Sequence, residues 1–186
     1  MGQLATARLT PMQLNPAYQG REGLPMGTGT TLYLGALVCL NATGFLVRGA
    51  IATTLKAVGI VGPQAGQVPS NAIINAGADG AKIAEIFYQP TAKLNNDPDD
   101  PITGADKELA CYITNDNMVS RTSAGGTKSP AGRIVQVDDD TSPTGAGVWV
   151  AIGQLPYNAS GSTGPQGATG TQGPQGPQGT QGPQGA

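Results

Sequence analysis

An all-β fold, a small barrel or sandwich of short antiparallel strands, is what this sequence predicts, and three observations predict it. Short apolar runs follow one another from Leu32 onward, each ended by Gly, Pro, Asn or Asp. No window of helical length carries an apolar stripe at helical spacing. The turns are rich in glycine, of which the chain has 29 in 186 residues. Parallel α/β architecture is excluded, because it needs long amphipathic helices between its strands.

Residues 1–30 come first. Pro11, Pro16 and Pro25 interrupt a segment with no hydrophobic period, which predicts an extended arm with no core of its own. Leu4, Leu9, Leu14 and Tyr18 are spaced apolar anchors in it, suited to burial against a neighbouring surface.

The body, residues 31–152, opens with "LYLGALVCL", Leu32 to Leu40. The run falls well short of the ~20 residues that span a bilayer and reads as one buried strand. "NATG" at 41–44 predicts a hairpin turn into "GFLVRGA". "LKAVGIV" and "AKIAEIFY" are further strands, and "ITGADKEL" forms a single helical turn with Thr103 as its cap. "LACYIT" and "MVSRT" flank a second hairpin turn at 114–118, and "GRIVQVD" follows. In "GVWVAI" alternation puts Val148, Val150 and Ile152 on one face and Trp149 and Ala151 on the other. Residues before 161 are enough for one domain with a single core.

Residues 153–160 read as a linker through Gly153, Pro156 and Asn158. Residues 161–186 then keep glycine at every third place: Gly161, Gly164, Gly167, Gly170, Gly173, Gly176, Gly179, Gly182 and Gly185. Proline stands only directly after glycine, at Pro165, Pro174, Pro177 and Pro183. A flexible Gly/Pro/Gln linker has no reason to hold that frame. In a collagen-like triple helix only a hydrogen side chain fits at the crowded axis, once per three residues. The frame therefore predicts three chains, a homotrimer, with these nine glycines on its axis.

Composition removes several classes of function. With no histidine, 10 basic and 12 acidic residues and a formal charge of -2, the chain has neither the commonest general base nor a basic footprint for nucleic acid. Asp97, Asp99 and Asp100, and Asp138, Asp139 and Asp140, lack the spacing of a calcium loop and read as solvated turn carboxylates. "SAGGTKSPAGR" lacks the pattern of a phosphate cradle. No catalytic residue, metal or cofactor is assigned, and the expectation is a protein that is not an enzyme. Cys39 and Cys111 lie in apolar runs and are expected as free thiols. The start of the sequence lacks the basic and apolar segments of a secretory signal, so synthesis in the cytoplasm and no membrane partner are expected.

Taken together and in order, "GTTLYLGALVCLNATGFLV", "LKAVGIV", "AGADGAKIAEI", "DPITGADKELACYITNDNMVSRT", "SPAGRIVQVDDD" and "GVWVAI" resemble the decoration, or cement, proteins of tailed bacteriophage capsids, from about Gly27 to Ile152. The resemblance implies a β-rich structural protein, often trimeric, that binds the outside of an assembled shell and bridges capsomers. The phage major capsid protein is then the implied partner and the outer virion surface the implied location, in a bacterial host. Lys107-Glu108 and an inserted "TSPTGA" depart from that pattern; both fall in loops. A fibre or adhesion protein, its collagen-like stalk contacting a host or environmental surface, is the alternative.

Overall fold

The computed structural model describes residues 10–13, 20–63, 72–139, 141–142 and 145–156. Within them the regular structure is strand, apart from one 3-10 turn at Gly104–Asp106. The all-β expectation holds.

The second half of the chain builds a small barrel. Its strands are β9 (Thr91–Asn96), β10 (Ala110–Asn115), β11 (Met118–Ser120), β12 (Pro130–Asp138) and β13 (Gly147–Ile152). They pair in the order β9-β11-β10-β12-β13, and β13 returns to pair with β9, Val148 opposite Leu94 and Val150 opposite Ala92. The ring is antiparallel except where β11 runs parallel to β9. Closure removes the open edges that a five-stranded sheet would otherwise present. A short strand from the N-terminal segment, β1 (Met12–Gln13), shares the outer edge of β9.

The first half forms a second sheet in the order β2-β8-β6-β4-β5, comprising β2 (Arg21–Pro25), β4 (Leu37–Leu40), β5 (Leu46–Arg48), β6 (Lys56–Val61) and β8 (Ile83–Tyr88). All four pairings are antiparallel. A small ladder of β3 (Thr30–Leu32) and β7 (Ile73–Asn75) completes the set.

Instead of the expected single core there are two, and β4 and β6 divide them. Leu37, Cys39, Ala57 and Ile60 face the barrel interior with Leu94, Ile113, Ile134, Val148 and Ile152. Val38, Val58 and Val61 point the other way, to Met26, Leu32, Leu46 and Ile86. Strands buried on both faces need apolar residues at consecutive positions, which is why "LVCL" and "KAVGIV" show no alternation. Each fully buried Leu, Ile or Val contributes about 1.5–3 kcal/mol relative to exposure, and more than a dozen large side chains here are almost wholly inaccessible.

The two hairpin turns form as expected, each by a local side-chain bond. Asn41 Oδ1 accepts from the Thr43 and Phe45 amides at 3.0 and 2.9 Å, with Gly44 at φ 85°. Asn115 Oδ1 accepts from the Asn117 amide at 2.9 Å between β10 and β11. Asparagine in this role imitates a backbone turn. The turn at Gly104–Asp106 is also where the sequence puts it, with the Asp106 carboxylate accepting from both the amide and the hydroxyl of Thr103 at 2.8 Å.

Two expectations are corrected. "LYLGALVCL" is not one strand: it breaks at Leu34-Gly35, where Gly35 takes φ 81°, and β3 and β4 belong to different sheets. The segment 1–30 is not wholly an arm either. Arg21 to Pro25 pair residue for residue with Phe87 to Ile83 on β8, and Met26 is fully buried. The pairing partner lies about sixty residues away in sequence, so no local periodicity announces it. Thr10 Oγ1 donates to the Gly35 carbonyl at 2.7 Å and Met12 packs against the barrel core, so this described stretch too rests on the chain's own body.

Candidate functional site

Every residue singled out from sequence for binding or assembly lies outside the described residues: Leu4, Leu9, Leu14 and Tyr18, and the nine glycines from Gly161 to Gly185. The site therefore has to be sought on the body that carries both segments.

Two clusters in the body tie a lysine to an aspartate. Lys93 on β9, Gln136 on β12 and Trp149 on β13 form a row across the outer barrel wall, since Trp149 pairs with both Lys93 and Gln136. All three converge on the Asp138 carboxylate. Lys93 Nζ and Trp149 Nε1 donate to Oδ2 at 2.8 Å each, and Gln136 Nε2 donates to Oδ1 at 2.5 Å. Lys93 Nζ also donates to the Gly145 carbonyl, which ties the approach to β13 to the wall. A second pair sits near the β10–β11 hairpin. Lys128 Nζ lies 3.6 Å from Asp97 Oδ2 and donates to Ser120 Oγ at 2.9 Å, while Thr114 Oγ1 donates to the same Asp97 oxygen at 2.9 Å.

These contacts correct the reading of Asp97 and Asp138 as solvated, while Asp140 lies outside the described residues. Asp97 and Asp138 are buried; Asp138 meets the buried Lys93 and Asp97 the half-buried Lys128. Only the neighbours stay outside: Asp99 and Asp139 are exposed, and Asp100 is half-buried. The sequence signal for the buried pair was slight, a lone lysine between Ala92 and Leu94 in an otherwise apolar strand centre, and nothing local points from it to Asp138.

The exposed carboxylates organise loops. Asp100 Oδ2 accepts from the hydroxyl and amide of Thr122 at 2.7 and 2.8 Å. The Thr122 hydroxyl, followed by its amide and the Arg121 guanidinium, holds the Asp100 carboxyl below its ordinary range against an opposing push from burial. Thr141 does the same for Asp139 through its hydroxyl and amide, and Thr103 for Asp106 through its amide and hydroxyl. Cys39 and Cys111 are unbridged, buried in the barrel core, and burial pushes both thiols up to about 12. A thiol so placed is a poor nucleophile. Among the described residues no three His, Cys, Asp or Glu side chains gather as metal ligands, and no helix is long and apolar enough to cross a membrane.

What the body offers is surface. A shallow apolar depression of about 170 Å³ lies between Met12, Leu34, Val61, Pro63 and Phe87. At one end of the barrel three segments converge where the chain leaves β13. The Gly153 amide donates to the Ala131 carbonyl at 2.9 Å, and Gly153 itself, at φ 70°, sits so close to the Ala57 carbonyl that a Cβ there would lie 2.8 Å from it. Ser129 Oγ donates to the Ala52 carbonyl at 2.6 Å and accepts from the Leu55 amide at 3.0 Å. Ile51, Pro130 and Leu155 are the exposed apolar side chains of these three segments.

No protein-family model matches this sequence, and neither a curated protein nor a solved structure matches it.

Proposed function

We propose that this chain is a structural virion protein of the decoration type. In this reading the β body binds the outer surface of an assembled phage capsid and bridges neighbouring capsomers, and residues 161–186 project from it as a collagen-like three-chain fibre. The observation that carries the proposal is the unbroken frame of nine glycines appended to a compact β body. A three-chain fibre multiplies weak body contacts into a trivalent attachment, which suits a lattice of repeated sites. The body's chemistry supports a structural role: its Lys93–Asp138 and Lys128–Asp97 pairs hold strands and loops, and its two thiols are sealed in the barrel core. Its functional parts are then surfaces.

At about 3.1 Å per residue the 26-residue tail spans roughly 75 to 80 Å. All the Leu, Ile, Val and Phe residues lie before residue 161 and the tail has none, so shell attachment belongs to the arm and body and projection to the tail.

Co-sedimentation tests the reading. The purified chain is mixed with shells assembled from the phage major capsid protein of its source. Pelleting with shells, saturating at a fixed ratio and delaying their disruption by heat, is the expected result, because a ligand that binds only the assembled state stabilises it by mass action. A chain that stays in the supernatant at every ratio would overturn it.

A further inference from the structure

We propose that the barrel end bearing Ile51, Pro130 and Leu155 is the face on which three copies of this chain meet. The proposal rests on the three-chain reading of the tail and adds to it the surface of the body that is turned inward.

Chain length limits how three bodies can be arranged. Pro156 is five residues before Gly161, the first glycine of the frame. Fully extended, five residues reach at most about 18 Å. A body of this size has a radius of gyration of about 14 Å, so the strap is no longer than the body is deep. Three bodies joined at Gly161 cannot choose their orientation freely: each must turn the end from which β13 leaves toward the common axis.

That end is built to be covered. Ile51 and Leu155 are 58% and 52% exposed, and Pro130 is exposed as well. They come from three separate segments. Gly153 bonds to Ala131 and lies against Ala57, while Ser129 bonds to both Ala52 and Leu55. The apolar side chains are thus carried on a backbone held firmly in place, and the exposed residues that follow Ile51 are the uncharged Thr53 and Thr54 and then Lys56. Single exposed apolar residues are ordinary. Here the strap delivers two further copies of the same patch at millimolar effective concentration, so the occupant is fixed as the chain itself.

Cysteine cross-linking of the full chain tests the face. Three variants are compared, Leu155→Cys, Ile51→Cys and Ile74→Cys, each treated with a short bismaleimide. All three positions are more than half exposed, and the native Cys39 and Cys111 are buried. Leu155 is close enough to the tail to link between copies whenever the tail is three-chained, whether or not the bodies touch. Ile51 links only if the barrel ends meet, and Ile74 on β7 reports random encounter. Expected is linking of both Leu155→Cys and Ile51→Cys at least about tenfold faster than Ile74→Cys. Fast linking at Leu155 with Ile51 as slow as Ile74 would overturn the face and leave the three-chain tail standing. Leu155 as slow as Ile74 would overturn both.

Discussion

Lys93 and Asp138 meet at 2.8 Å in the barrel wall, both almost wholly buried, and the contact joins β9 to the far end of β12 across the intervening β13. Two buried charges cost solvation that is recovered only when the remaining hydrogen-bonding capacity is filled, and Trp149, Gln136 and the Gly145 carbonyl fill it. Removing one partner strands the other. Lys93→Met is expected to destabilise the body by about 3–5 kcal/mol, whereas Lys93→Met with Asp138→Leu loses clearly less than the sum of the two single changes. Denaturant midpoints of the four proteins check this, and strictly additive losses would contradict it.

The two barrel thiols make a simpler case. With burial pushing both up to about 12, thiolate is scarce at pH 8 and the sulfurs are enclosed. Native protein is expected to resist iodoacetamide at both Cys39 and Cys111, and unfolded protein to react at both. Mass spectrometry counts the adducts. Rapid native labelling of either would place that strand outside the core.

Acid should loosen one loop before the body. Because the Asp100 carboxyl is depressed in the fold, chiefly by the Thr122 hydroxyl, its contribution is fully present above the unfolded value near pH 4 and is lost as pH falls through the lower folded value. The Thr122 amide resonance is expected to hold its shift down to about pH 4 and to move below it. Asp100→Asn removes that acid step. A midpoint at or above the ordinary carboxylate range in the native chain would contradict the hydrogen-bonded arrangement.

Much of this fold was legible in the sequence, and the parts that were not share a physical cause. Asn41 and Asn115 announce their hairpins because the bonds they make are within a few residues. Thr103 and Asp106 mark their turn for the same reason. What escaped is non-local: β2 finds its partner on β8, and Lys93 finds Asp138 forty-five residues on. The apolar run around Gly35 was misread because strands buried on both faces look continuous, and the break between two sheets lies inside the run. The site is legible only as a surface. Leu4, Leu9, Leu14, Tyr18 and the tail glycines lie outside the described residues, while the exit face with Ile51 and Leu155 emerges only when three distant segments are brought together.

The tail frame gives a prediction of its own. Gly173→Asp puts a carboxylate on the crowded axis of a three-chain helix, so the far-ultraviolet dichroism of the tail should melt at a lower temperature. Unfolding of the barrel should be unchanged, since its core lies entirely before residue 161. An unchanged tail transition would mean that Gly173 does not lie on such an axis.

The most direct measurement is a cryo-EM reconstruction of phage capsid shells, the proposed partner, saturated with this chain. The account predicts added density at threefold positions on the outer surface, of a size to hold three β bodies, with a thin rod rising from its centre for roughly 75 to 80 Å. Shells that remain bare at saturating concentration would contradict it.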